Sequence, residues 1–342
     1  MTMQKLKMDA VAAIDVGSNT IRMAVAQITP QGEIMFLEDL RKPTNIGRDT
    51  FSFGRIQVES IYNTCELLKG FSRIIQEYRV KNYRAVCTSG IREAENGEYV
   101  LDQIRMKTGL ELEIINNAQE RFLMYKAIRE YLPETLWVND RGTLIVDIRS
   151  GGVEISVYNE GSLKFTEYIK SGSLRLREIL ADLERRTLHF PVIMEQFVES
   201  RVDFLKSRIK EMNINNFIGL GGELRTITRL CTEGSVQSEE KQISKDALVS
   251  LYSRVHSMTT EQIIQEFGLQ RTEAEILLPS VILFYSFLEM TGASGIHTPL
   301  VSLRHGLLAD MADELLDTSR KRASLDDVIS SVRYIGQKFS FD

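Results

Sequence analysis

The sequence predicts an α/β fold of two similar lobes with a ligand cleft between them. Three observations carry this expectation. Apolar strands and amphipathic helices alternate along the whole chain, a pattern that favours mixed α/β architecture. A run of three strands in hairpin order occurs twice, at residues 10–38 and again from residue 142. Each copy ends its first strand on an aspartate followed by a turn of small residues, VAAIDVGSNT at Asp15 and TLIVDIRSGG at Asp147. Aligning the two aspartates puts Ser18 on Ser150, Ile21 on Val153 and Met23 on Ile155. An internal repeat of this kind is stronger evidence than either segment alone.

Residues 10–38 read as the strands VAAID, IRMAVAQI and EIMFLED, with PQGE turning between the last two. Residues 57–79 have helical periodicity, with Ile61, Cys65, Leu68 and Ile75 inward. YRAVCT (83–88) is a strand, IREAENGEYVLDQIRMKT starts a helix, and LEII (112–115) is a further strand before a helix reaching about residue 131. YLPETLWVNDRG (131–142) holds a proline and turn residues and is the expected domain boundary. Beyond it GTLIVDI, VEISVY and SLKFTEYI repeat the opening strands, with YNEGS as a turn. Helices follow at about 172–184, 190–212, 222–232, 243–255, 259–267 and 272–292, then a strand at 298–302 and a helix from about 304. The expected domains are 1–132 and 140–312, with 313–342 as a linker and terminal helix.

Bulk properties narrow the function. Of 342 residues, 43% are hydrophobic and 26% charged, ordinary for a soluble two-domain protein. A net charge of −5 argues against a general nucleic-acid or membrane surface, so an anionic ligand needs local positive groups. There is no apolar run of about 18 residues and no leader pattern, which predicts a cytoplasmic protein. Cys65, Cys87 and Cys231 are scattered without CxxC spacing and read as reduced core residues. The four histidines, His189, His256, His297 and His305, lack metal-site spacing. SRKRAS (319–324) reads as a solvated linker.

The turns carry the chemistry. A strand that ends in a glycine turn and reverses leaves backbone N–H groups pointing into one concavity, and glycine permits φ > 0 and close approach of a phosphate. In DVGSNT, Ser18, Asn19 and Thr20 add side-chain donors, and Asp15 could hold a hard cation or a water. Taken alone, this stretch suits an ordinary polar hairpin equally. A second copy at Asp147, and a third glycine turn in GLGGELRT (219–226) at a helix start, favour phosphate.

The set AAIDVGSNTIRMAVA, TSGIREAENG, EIINNAQER, LIVDIRSGGVEISV, SGSLRLRE, GLGGELRTIT and VSLRHGLL resembles the exopolyphosphatase / guanosine pentaphosphate phosphohydrolase family, in that family's order and spacing over residues 10 to about 310. The resemblance implies the actin-like, ribonuclease H-like fold and hydrolysis of a terminal phosphoanhydride with Mg²⁺, or Mn²⁺, bound. It implies a polyphosphate or guanosine polyphosphate ligand and a homodimer, while the charge balance above gives no nucleic-acid or membrane partner. It assigns Gly17, Ser18, Asn19 and Thr20 to a first phosphate loop, and Arg92 to the arginine facing the phosphates. Glu120 matches the glutamate that activates water; Asp147 and Glu154, with Asp15, fall near the metal. Arg149, Ser150, Gly151 and Gly152 form the second loop, Gly221 and Gly222 the third. In longer members a segment like LDDVISSVRYIGQKFS (325–340) opens a further helical domain.

The pattern also breaks. The family's second loop reads Asp-x-Gly-Gly-Gly-Ser-x-Glu, whereas here it is DIRSGGVE. Glu223 stands where threonine is favoured, Ser302 where glycine is usual, His305 for an acidic residue, and NNAQ lacks a small-Gly pair. Arg149 has two readings. It adds a permanent cation to the phosphate pocket, or it fills the space and pairs with Asp147, Glu154 or Glu223 in place of the metal. At φ > 0 an arginine would cost about 1–2 kcal/mol. The favoured function is hydrolysis of polyphosphate or guanosine pentaphosphate; the alternative is a weak or inactive sensor of the same ligands.

Overall fold

The computed structural model describes residues 9–131, 142–159, 162–184, 186–187, 189–232 and 242–316. The chain forms two compact units; the first takes in residues 9–130 and 303–316, the second the described residues from 131 to 302.

The first unit is built on a five-stranded sheet in the order β3-β2-β1-β4-β5. β1 (Ala10–Val16), β2 (Thr20–Ile28) and β3 (Ile34–Pro43) form an antiparallel meander. β4 (Asn82–Cys87) lies parallel to β1, and β5 (Glu113–Ile114) parallel to β4. β1 is central and buried along its whole length, which explains its unbroken AVAAI run: with helices on both faces a strand has no solvent side to mark with polar residues. α1 (Ile46–Phe53), α2 (Val58–Glu77), α3 (Ser89–Arg92), α4 (Gly97–Thr108) and α5 (Asn117–Tyr131) complete the linear part. α2 follows its periodicity, with Ile61, Cys65 and Leu68 buried and Ile75 packed at the edge of the core.

The second unit carries a six-stranded sheet in the order β10-β11-β9-β6-β7-β8. β6 (Gly142–Ile148), β7 (Val153–Asn159) and β8 (Ser162–Ile169) are antiparallel, β9 (Ile214–Gly221) is parallel to β6, and β11 (Gly295–His297) to β9. β10 (Gln242–Ser244) closes the edge antiparallel to β11. α6 (Ser173–Glu184), α7 (Phe190–Glu211), α8 (Leu224–Cys231), α9 (Lys245–His256), α10 (Thr260–Phe267) and α11 (Arg271–Glu289) enclose the core, with α11 contributing Leu277, Val281, Phe284 and Phe287.

The repeat holds at the level of register. Asp15 pairs across to Arg22 and Val16 to Ile21; Asp147 pairs across to Glu154 and Ile148 to Val153. On the parallel side Val16 meets Cys87 and Ile148 meets Gly221. Three antiparallel strands followed by two parallel ones, in the order 3-2-1-4-5, is the ribonuclease H-like arrangement, present here twice.

Several elements differ from expectation. The helix from Ile91 breaks into α3 and α4 because Asn96 turns its amide onto the Ile56 backbone, accepting from its N–H (2.9 Å) and donating to its carbonyl (2.8 Å). The strand expected at 298–302 lies instead at Gly295–His297, since Pro299 has no N–H to give and Leu300 sits at φ 56°. The expected second domain ran to residue 312, yet α12 (Leu303–Leu316) packs on β1, β2 and α5 of the first unit. There Lys126 bonds Asp310 (2.5 Å) and Asp313 (2.8 Å), and Arg84 also reaches Asp310. Residues 132–141 of the expected boundary, and the linker and terminal helix from 317 on, lie outside the described residues. Among the described residues no helix is long and apolar enough to cross a membrane.

Candidate active site

The first turn is held by its carbonyls. Gly17 N–H donates to Thr20 O (3.0 Å) and closes the reversal. The carbonyls of Val16, Ser18 and Asn19 accept from Thr88, Gly47 and Thr44 at 3.3, 2.7 and 3.1 Å. The N–H groups of Ser18 and Asn19 have no acceptor among the described residues. Carbonyls spent inward and amides left over is the polarity an anion site requires. Ser18 Oγ bonds Ser89 Oγ at 3.1 Å, and the close fit depends on glycines, because a Cβ on Gly47 would fall 2.4 Å from that of Ser18. Asp15 is buried with Arg22 as its cross-strand neighbour. Arg304 feels its charge from α12; burial pulls this arginine down to about 10, which leaves it cationic at neutral pH.

Ser89 opens the four-residue α3, and Arg92 ends it. Arg92 does not pair with its sequence neighbours Glu93 or Glu95. It donates to Ile115 O and Asn117 Oδ1, both at 2.6 Å, and to Glu120 Oε1. Glu120 is 5% exposed, and a carboxylate so buried needs a partner. The start of α5 explains its position. Asn116 and Gln119 exchange side-chain and backbone bonds (2.8 and 2.9 Å), a reciprocal cap that fixes the first turn and places Glu120 one residue on.

The second turn has the same polarity. Arg149 N–H donates to Gly152 O (3.0 Å), Ser173 N–H to Arg149 O (3.1 Å) and Arg175 N–H to Ser150 O (2.9 Å). Arg175 Nε takes the Gly151 carbonyl at 2.7 Å. The N–H groups of Ser150, Gly151 and Gly152 have no acceptor among the described residues. The SGSLR segment therefore grips the turn from behind, through Gly172, where a Cβ would lie 2.2 Å from Arg149 O. The expectation that these glycines serve φ > 0 is corrected. Neither the first nor the second turn contains a left-handed residue, so Arg149 is unstrained, and at Gly152 the crowding is with a side chain: a Cβ would fall 2.3 Å from the Tyr168 hydroxyl and push that ring aside. Only the third turn uses the left-handed region: Gly221 has φ 133°, and a Cβ there would lie 2.1 Å from Ile148 O. Gly222 follows it, and buried Glu223 leads into α8.

Arg149 turns its side chain onto Asp147. Nε and Nη2 both reach Oδ2 at 2.7 Å, and the aspartate is 4% exposed. Glu154, directly opposite, accepts from Thr166 Oγ1 at 3.0 Å. Among the described residues no group of three or more His, Cys, Asp or Glu side chains gathers for a metal. Mg²⁺ asks for several oxygens in octahedral array, and a guanidinium on the carboxylate repels a dication. Asp147, Glu154 and Asp15 as placed do not fit that ion.

The structure thus joins the first loop to Ser89 and sets Arg92 on Glu120 in one unit, and joins Arg149 to Asp147 within the second loop in the other. Sequence reasoning missed Ser89, Asn117, Tyr168, Arg175 and Arg304. The motifs TSGIRE, SGSLRLRE and VSLRHGLL contained Ser89, Arg175 and Arg304, but only a fold shows what they touch. A cavity of about 650 Å³ in the second unit, among Phe190, Pro191, Met258, Ile263 and Leu278, is lined by none of the turn residues.

The chain is 24% identical over 241 residues to the bifunctional 3-dehydroquinate synthase/phosphatase of Fusobacterium nucleatum subsp. nucleatum, covering 67% of this chain and 35% of that one. It is 29% identical over 143 residues to Exopolyphosphatase 1 of Mycobacterium tuberculosis, covering 42% and 40%. The matches thus span well under two thirds of either relative. The crystal structure of an exopolyphosphatase from Cytophaga hutchinsonii shares the fold, with TM-score 0.78 at 20% identity over 90% of this chain and 98% of that one. Residues 24–315 match the Ppx/GppA phosphatase family, taking in the second half of β2, Arg92, Glu120, the second and third turns and most of α12, and the chain belongs to that family.

Proposed function

We propose that the protein hydrolyses the terminal phosphoanhydride of inorganic polyphosphate or guanosine pentaphosphate. The observation that carries this reading is the shared polarity of the first two turns, carbonyls bound inward and amides without protein acceptors. Such amides bind phosphate oxygens and stabilise the charge that develops on them during displacement. Glu120 takes the proton of the attacking water as its oxygen bonds to the terminal phosphorus. The bridging P–O bond breaks, and the shortened polyanion leaves with that electron pair. Arg92, anchored by Ile115 O and Asn117, holds Glu120 in place and supplies positive charge beside the reaction. The named exopolyphosphatase relative supports the substrate class.

The test is phosphate release, read colorimetrically, from long-chain polyphosphate and from guanosine pentaphosphate. Glu120→Gln should lower turnover about 10²–10⁴-fold with ligand binding kept. An unchanged rate removes Glu120 from the mechanism. One observation favours a second reading, a sensor that binds without turnover: the Arg149 side chain closes over Asp147. Tight polyphosphate binding with no phosphate released above the buffer rate would select it.

A further inference from the structure

We propose that Arg149 is a built-in substitute for the divalent cation, so that the second turn binds its phosphate by amides and guanidinium with no metal at Asp147. The phosphate part rests on the reading above; the replacement of the cation stands on geometry alone.

Asp147 is the penultimate residue of a central strand whose residues are all buried, so its charge must be balanced locally. Two donors of Arg149 converge on one carboxylate oxygen at 2.7 Å each. A dication binding that oxygen would first have to break a doubly bonded ion pair and then sit beside a permanent cation. The arginine is fixed at its backbone as well: its N–H is held by Gly152 and its carbonyl by Ser173, and its φ is unstrained. Its placement is therefore part of the turn.

The repeat shows what the side chain replaces. Gly17 holds the equivalent position in the first turn, bonding Thr20 as Arg149 bonds Gly152. A side chain at position 17 would be obstructed, because a Cβ there falls 2.9 Å from Thr20 O. At position 149 the same place accepts a long side chain, and that chain folds back onto the strand-end aspartate. With the guanidinium 26% exposed and the carboxylate 6%, the cation lies on the solvent side of the pair, at the turn bearing the amides of Ser150, Gly151 and Gly152. A phosphate on those amides meets the Arg149 guanidinium beside Asp147.

Direct Mn²⁺ titration followed by electron paramagnetic resonance tests the replacement without any phosphate. Arg149→Gly should gain a site at least about tenfold tighter than any in the wild type, with the gain lost on adding Asp147→Asn. Arg149→Lys, which keeps the charge, should gain none. Wild-type protein that itself binds Mn²⁺ at a site lost in Asp147→Asn overturns the proposal without needing the glycine variant to fold. A folded Arg149→Gly with no gain also overturns it. Calorimetry with tripolyphosphate separates the two readings. Wild-type binding in EDTA supports both, and binding that requires Mg²⁺ overturns the metal-free turn. Absence of binding under either condition counts against the phosphate reading, while the Mn²⁺ titration still decides the inference.

Discussion

A methyl group at Gly172 would stand 2.2 Å from the Arg149 carbonyl oxygen and 2.3 Å from the Gly152 nitrogen, both backbone atoms with nowhere to move. Gly172→Ala should therefore push the second turn off the SGSLR segment and disorder the amides of Ser150 to Gly152. Tripolyphosphate affinity measured by calorimetry should fall by about tenfold or more, and the overpacking should cost about 1–3 kcal/mol of stability in a denaturant melt. Unchanged affinity would mean that these amides do not bind the ligand. The same scale shows what sequence alone reveals. Glu120 and Arg92 were legible as candidates, but their contact was not, because it joins α3 to α5 across 28 positions while Glu93 and Glu95 lie closer in the chain. The glycines of the turns were legible as requirements, yet for the wrong reason at Gly152: its crowding comes from Tyr168 on the neighbouring strand β8. At Gly221, where φ is 133°, the conformational reason holds.

At the scale of elements, α12 shows how far local pattern reaches. Its periodicity is visible from residue 304, but its home is not, since the helix follows the whole second-unit run from residue 131 to 302 and returns to β1 and β2. What holds it there is long-range. Gly306 brings its backbone against Leu123 of α5, where a Cβ would lie 1.9 Å from the carbonyl oxygen, and Lys126 bridges Asp310 and Asp313 beside that contact. Lys126 is 8% exposed, so its removal takes the cation from buried Asp313, while half-buried Asp310 keeps Arg84. Lys126→Ala should destabilise the protein by about 3–5 kcal/mol, read from urea unfolding. A loss under about 1 kcal/mol would make the cluster a solvated surface network. α5 also carries Glu120, so the same variant should lower turnover if the helix shifts. The short elements α1 and β10 escaped the sequence reading because three to eight residues hold too few periods to register.

Across the whole molecule the three cysteines offer a readout of both cores in one experiment. Cys65 and Cys87 pack in the first unit's core, and Cys231 lies against the second. Burial pushes Cys87 and Cys231 up to about 12 from an ordinary value of 9.0, and Cys65 is also raised by burial. A thiol that ionises near 12 when folded and near 9 when unfolded binds more protons in the native state throughout that interval. Stability from these groups is therefore complete below about pH 9 and declines as pH rises towards 12. Chemical melts at pH 8 and pH 10.5 should show a lower midpoint at the higher pH, and Cys87→Ala with Cys231→Ala should reduce the difference between them. Alkylation at pH 8.5 adds an independent check, because only the thiolate reacts. Native protein should leave Cys87 and Cys231 unmodified over a time in which urea-unfolded protein reacts at all three sites. Rapid labelling of Cys87 in the native protein would mean that the β1–β4 layer beneath Asp15 opens readily, and the first turn with it.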